Sequence, residues 1–261
     1  MSQTSGGQVT IHLDGRIAVI TVDNQAKLNA YSPAMMDQLA AHLTAFEEDD
    51  ELWVAVLRSA GEHTTAGLDL PKFFGPDATW EGTEDNTVDP FGLGRRTTKP
   101  VIAVVQGITY TVGIEIALAA DIVVAADTAR FAQLESKRGL APLGGAHFRY
   151  LARTGWGNAM YHLMLCDEFD AHRALELGFV QEVVPYGRHF DRAMELANAI
   201  AKNAPLGLRA MKKAARAYVD AAEQQAIAEI PRIKESVFGS QDFLEGIRSF
   251  TERREADFQG R

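Results

Sequence analysis

The chain has 261 residues, 46% hydrophobic and 23% charged, which is enough for a sizeable core and too apolar for a largely disordered chain. Its 26 Lys and Arg face 35 Asp and Glu, giving a net charge of −9. That balance argues against general nucleic-acid binding, which needs clustered cations for phosphate.

Cys166 is the single cysteine, so no intrachain disulfide can form and a reducing compartment is expected. The stretch Met1–Gly7 is small and polar, without the basic-then-apolar order of a secretory signal. No uncharged apolar run approaches the ~20 residues of a membrane span. A cytoplasmic protein with no membrane contact is the expectation.

In chain order, Val9–Leu13 and Arg16–Val22 flank Asp14-Gly15 and predict a hairpin. Pro33 to about Glu48 carries Met35, Met36, Leu39, Leu43 and Phe46 at helical spacing, with Ser32 as N-cap and Pro33 at the first helical position. Trp53–Leu57 reads as a buried strand and Gly61–Gly67 as a loop. Gly75–Lys99 mixes Gly, Pro, Asp and Thr and reads as a long loop with one short helix. Val101–Val105 is a second buried strand, Gly107–Thr111 a turn, Gly113–Ala120 a short apolar helix and Ile122–Ala126 a third buried strand. From Trp156 the pattern is mainly helical, over Arg188–Lys202, Leu206–Tyr218, Ala221–Phe238 and Asp242–Arg254.

Glu115 stands out. The run Val112–Ala120 is apolar on every side except at this carboxyl, so the helix is expected to be buried. Burial of a carboxylate is costly unless it is paired or hydrogen-bonded, and it raises the pKa toward the range useful for proton transfer. A structural ion pair with an Arg is the alternative. The turn before the helix presents free N–H groups and a positive dipole end, which suit a developing oxyanion.

No His-x-x-x-His pair or Cys/His cluster is present, so no metal site is expected. His63 and His147 lie near these loops and read mainly as loop residues. Lys212-Lys213 and Arg253-Arg254 read as solvated helix faces.

Four blocks in register resemble the enoyl-CoA hydratase/isomerase, or crotonase, superfamily. Lys99-Pro100-Val101-Ile102-Ala103-Val104-Val105-Gln106-Gly107, followed by Gly113-Ile114-Glu115-Ile116-Ala117 and Asp121-Ile122, resembles the block around the family's first carboxylate. Phe131-Ala132-Gln133-Leu134-Glu135, then Gly139-Leu140-Ala141-Pro142, resembles the second, with the hydratase spacing of twenty between Glu115 and Glu135. Ala66-Gly67-Leu68-Asp69-Leu70 and Lys27-Leu28-Asn29-Ala30 resemble two further loops, and Phe250-Thr251-Glu252-Arg253-Arg254 a typical ending.

The resemblance implies an α/β fold, a spiral of β-β-α turns over residues 1–200 with a helical region at 201–261 used for trimer contacts. It implies an acyl-CoA thioester substrate, with coenzyme A part of the substrate and no separate cofactor. It also implies a homotrimer or a hexamer made of two trimers. By position it makes Glu115 and Glu135 the acid/base pair and the N–H groups of Ala66 and Val112 the oxyanion hole. It assigns coenzyme A contacts to Lys27, Asn29, Ala30 and Ala66–Asp69. The two carboxyls favour hydration of a 2-enoyl-CoA. Isomerisation, an aromatic acyl-CoA hydratase-lyase reaction, or a binding role with weak catalysis are the alternatives. Thr111-Val112 and Leu143 replace family glycines and are expected to add bulk beside the thioester and the catalytic water.

Overall fold

A computed structural model describes residues 6–76, 78–80, 82–84 and 86–261. Most of the N-terminal stretch Met1–Gly7 and three positions of the 75–99 loop lie outside the described residues. The hairpin forms as expected: β1 (Gln8–Asp14) pairs antiparallel with β2 (Ile17–Asp23). β2 is buried along most of its length while β1 alternates, so the hairpin lays one face of β1 to solvent.

α1 (Pro33–Glu48) begins at Ser32, whose hydroxyl accepts from Met35 N at 3.3 Å, and it buries Met35, Met36, Leu39, Leu43 and Phe46. β3 (Val54–Ser59) follows, then α2 (Leu70–Phe74). The short helix expected inside residues 75–99 therefore sits just before them, and no helix forms among the described residues of that stretch. Instead Asp89 organises the loop by accepting from the N–H groups of Phe91, Leu93 and Gly94.

β4 (Val101–Val105) leads into β5 (Ile108–Tyr110), so the expected turn holds a short strand, and α3 (Val112–Ala119) starts two residues later. β6 (Ile122–Ala126) and β7 (Arg130–Ala132) come next. β1, β2, β3, β4, β6 and β9 (Glu182–Val184) make a six-stranded sheet in that order, parallel after the first hairpin. β5, β7 and β8 (Phe169–Asp170) make a second, three-stranded sheet. After the β1–β2 hairpin, each strand of the large sheet is followed by a helix or by a strand of the small sheet. That repeated step lays the turns of the chain side by side and leaves α3 between the two sheets.

α4 (Ala146–Leu165) is broken at Gly155 (φ 73, ψ 168), so its second half begins at Trp156, where the helical region was read, and a first half from Ala146 precedes it; α5 (Ala171–Glu176) and α6 (His189–Ile200) follow. α7 is one helix of 34 residues, Pro205–Phe238, where two were expected, and α8 (Gln241–Glu252) closes the described fold. Lys212, read as solvated, is tied down: its Nζ donates to Asp121 Oδ2 at 2.6 Å and to the Lys99 carbonyl at 2.8 Å. No helix among the described residues is long and apolar enough to cross a membrane.

Candidate active site

α3 carries Glu115 into the interior because its other buried side chains, Val112, Ile114, Ile116, Ala117 and Leu118, pack on all sides of the helix. Glu115 is 2% exposed. Its Oε1 accepts from the Ala146 N–H at 3.1 Å. Burial raises its pKa to about 7, against the pull of the Ala146 and Gly144 N–H groups and the Arg149 charge. A Cβ on Gly144 would lie 2.7 Å from the Glu115 carboxyl carbon and 2.6 Å from Phe91 Cδ1. Gly144 therefore supplies the close approach, although Leu143 replaces the family's glycine next to it. Leu143 is itself half-buried.

Glu135 enters from the 3-10 turn Glu135–Arg138 that follows β7. The residue is half-buried as a whole, but its Oε2 is buried and has no hydrogen-bond partner among the described residues. Its Oε1 accepts from Gln133 Nε2 at 2.9 Å. Burial first, and then the nearby Glu115 carboxyl, push its pKa well up. The fold thus brings the two expected carboxyls together, and burial raises the pKa of both.

Arg149, which the sequence reading missed, holds the loops around the pair. It is 3% exposed and donates to the carbonyls of Phe91 at 2.5 Å, Gly144 at 3.0 Å and Glu115 at 3.4 Å. It meets carbonyls rather than a carboxylate, so it clamps three segments and still lends its positive charge to Glu115. Burial lowers its own pKa to about 10. The available signal was a charge inside the otherwise apolar run Phe148-Arg149-Tyr150.

The expected oxyanion donors need one correction. The Ala66 N–H is spent on the Leu28 carbonyl at 2.9 Å, so it is not free for a ligand. Leu68 N–H has no acceptor among the described residues: Tyr31 N bonds Gly67 O and Asp69 N bonds Tyr31 O, which leaves Leu68 facing the other way. Val112 N–H, at the first position of α3, likewise donates to no described atom. The two loops meet, since Gly67 at φ +118 has no room for a Cβ, which would stand 2.7 Å from Thr111 Oγ1. Leu68 and Val112 share one apolar cluster with Tyr31, Val88, Phe91 and Ile116. The Val112 side chain is buried there.

Thr111, just before Val112, holds φ 50 and ψ −115, a conformation suited to glycine. Its N–H is fixed by the Ala132 carbonyl, and its own carbonyl accepts from Ile114 and Glu115. Those bonds impose the turn that aims the start of α3.

Of the expected coenzyme A contacts, Lys27 is exposed and its Nζ pairs with Asp69 Oδ2 at 2.8 Å. Asp69 also faces Lys72 at 3.8 Å. Asn29 is not available to a ligand. It is 1% exposed, its Nδ2 donates to the Ala60 and His63 carbonyls, and its Oδ1 accepts from Asn24 N. The Ala30 carbonyl accepts from Asn24 Nδ2 and its N–H bonds Lys27 O. Asn29 and Ala30 are scaffold, tying the Lys27 turn to the 60–69 loop. Gly67 N–H bonds Thr65 Oγ1. His63 accepts from Ile108 N at 3.3 Å and serves the same scaffold. No group of three or more His, Cys, Asp or Glu able to hold a metal occurs among the described residues.

Comparison with known proteins gives the family. The sequence profile of the family described as enoyl-CoA hydratase/isomerase matches residues 13–261. The chain is 32% identical to enoyl-CoA hydratase EchA19 of Mycobacterium tuberculosis over 98% of each chain. It is 35% identical to carnitinyl-CoA dehydratase of Citrobacter koseri over 95% of this chain and 96% of that one. Among solved structures, a carnitinyl-CoA hydratase from Mycobacterium avium superposes with a TM-score of 0.88 at 30% identity, covering 97% of this chain and 98% of that one. A probable enoyl-CoA hydratase/isomerase from Mycobacterium abscessus superposes with a TM-score of 0.78 at 41% identity, covering 98% and 100%. With the two buried carboxyls, the free N–H groups and a match along nearly its whole length, this chain belongs to the enoyl-CoA hydratase/isomerase family.

Proposed function

We propose that the protein adds water across the double bond of a 2-enoyl-CoA, and catalyses the reverse dehydration. The observation that carries this reading is the buried Glu115–Glu135 pair. Burial raises one carboxyl to about 7 and holds the other well above the usual carboxylate range, which favours a pair that carries one proton between them. The thioester carbonyl would accept from Leu68 N–H and Val112 N–H, stabilising the enolate oxygen in a dry site by several kcal/mol. Glu115, as the anion, takes a proton from water as the water oxygen bonds the β-carbon. Glu135, protonated, gives its proton to the α-carbon. One O–H bond of water and the Glu135 O–H bond break, and a C–O and a C–H bond form.

Several features favour hydration over double-bond isomerisation, which needs only one carboxyl to carry a proton between carbons. Both carboxyls are present, Gly144 leaves space against Glu115, and Val112 turns its bulk into the apolar cluster. Phe91, Val112 and Ile116 border this side, which suits an apolar acyl group. Lys27 and the 66–69 loop remain the expected coenzyme A side. The test is loss of enoyl-thioester absorbance on a panel of straight, branched and aromatic 2-enoyl-CoAs. Turnover that falls about 10²–10⁴-fold in both Glu115→Gln and Glu135→Gln is expected. Wild-type turnover in either variant would overturn the assignment.

A further inference from the structure

Behind Glu135 stand two residues that belong neither to the carboxyl pair nor to the oxyanion donors. Gln133 is 2% exposed and immediately follows β7. Its Nε2 donates to Glu135 Oε1 at 2.9 Å, and its Oε1 accepts from the Tyr150 hydroxyl at 3.3 Å. Tyr150, on α4, is fully buried among Phe131, Leu177 and Phe179, with its ring edge-on to Phe179 at 4.5 Å. Gln133 Oε1 is the one partner of that hydroxyl among the described residues.

This chain of bonds has a direction. A Gln amide can be placed either way round, and its neighbours decide which way. If Gln133 were flipped, its NH₂ would face the Tyr150 oxygen and the buried phenol hydrogen would lose its acceptor. Leaving a buried donor without an acceptor is unfavourable, because its lost bond to water is not replaced. Tyr150 therefore holds the amide with Nε2 toward Glu135, and Glu135 Oε1 is held as an acceptor. The carboxyl proton is left to Oε2, which is buried and has no partner among the described residues.

We propose that Tyr150, acting through Gln133, is a positioning residue that confines the transferable proton of Glu135 to Oε2. The proposal rests on the reading of Glu135 as the acid of hydration. In the step, the Oε2–H bond breaks and its electron pair stays on the carboxylate. The proton forms the new C–H bond at the α-carbon, and Oε1 keeps the Gln133 bond throughout. That same bond favours the Glu135 anion, in opposition to the burial that raises the carboxyl. Cutting the chain therefore raises the proton affinity of Glu135 further while freeing the proton to sit on either oxygen.

The experiment uses the full chain with Tyr150→Phe and Gln133→Met, both close in shape to the residues they replace. Hydration kinetics on crotonyl-CoA across pH are paired with an infrared difference titration of the Glu135 carboxyl C=O band, identified by its loss in Glu135→Gln. Each variant is expected to lower kcat about ten-fold, the equivalent of one buried hydrogen bond, with KM within about two-fold. The basic limb of kcat and the midpoint of the C=O band should both move to higher pH. A merely structural loosening would not move both in that direction. If Tyr150→Phe fails to fold, Gln133→Met carries the test. Unchanged kcat, limb and band in the variants overturn the proposal. A shifted band in a protein that hydrates no enoyl-CoA leaves the relay standing and overturns the hydratase reading instead.

Discussion

Gly144 is packed so closely on Glu115 that the two share the space a single side-chain carbon would fill. A Cβ there would lie 2.7 Å from the carboxyl carbon and 2.6 Å from Phe91 Cδ1. Neither neighbour can retreat easily, since Ala146 N–H holds the Glu115 carboxylate and Arg149 holds the Phe91 carbonyl.

Gly144→Ala must therefore displace the carboxyl. Overpacking of this kind costs about 1–3 kcal/mol of stability. A catalytic group misplaced by about 1 Å loses roughly 10²-fold in rate. We expect kcat/KM to fall by about that factor, with a lowered melting temperature, measured by enoyl-CoA hydration and calorimetry. Leu143→Ala, one residue earlier, should change kcat/KM less than ten-fold, because it removes side-chain atoms and forces none into the Glu115 carboxyl.

Glu115 also predicts how stability changes with pH. Burial raises its folded pKa to about 7 from an ordinary 4.5. The folded state then binds more protons than the unfolded chain between those values. This group's stabilising contribution is full below 4.5 and is lost as pH rises through about 7. Glu115→Gln never ionises, so its advantage over wild type should grow across that window. It should level off on the order of 3 kcal/mol above it, from about 1.36 kcal/mol per pKa unit. Urea unfolding of both proteins at acidic, neutral and mildly alkaline pH measures it. A gap that stays constant with pH would refute the raised pKa.

The contrast between Glu115 and its helpers explains what the sequence could reveal. Glu115 was legible because it is the one polar residue in an apolar helix. Gln133, Arg149 and Tyr150 acquire meaning only from partners far along the chain, such as Phe91 to Arg149, and no local pattern marks those pairings. The Ala66 expectation failed for a related reason, because its N–H is consumed by Leu28, on a turn 38 residues away. The long strands and α1 were readable from periodicity and capping. β5, β7, β8 and β9 have two or three residues each, too few to show an alternation. α7 was read as two helices, yet it runs unbroken through Pro231.

α7 makes a prediction about assembly. None of its 34 residues is buried, and Leu206, Met211 and Tyr218 are 76%, 63% and 90% exposed. Apolar side chains clustered on one helix at that exposure call for a covering surface. We expect sedimentation equilibrium to give a mass of three or six 28.5 kDa chains. Met211→Glu with Tyr218→Glu should shift the protein toward a single chain. A monomeric wild type would overturn the expected trimer or hexamer.

The choice between Ala66 and Leu68 as oxyanion donor can be decided by replacing one backbone amide with an ester, which deletes the N–H and leaves the side chain. Leu68 and Val112 N–H donate to nothing among the described residues, whereas Ala66 N–H closes the bond to Leu28 O at 2.9 Å. An ester at residue 68 should leave folding nearly unchanged and lower kcat about 10²–10³-fold, the usual loss for one oxyanion donor. An ester at residue 66 should cost about 1 kcal/mol of stability, the net worth of one hydrogen bond, with a much smaller loss in kcat. Semisynthesis of the two esters, with calorimetry and hydration kinetics on each, separates the cases. If the residue-66 ester abolished turnover and the residue-68 ester did not, the thioester oxygen would have to lie on the other side of the loop, with the Leu28 bond broken when substrate binds.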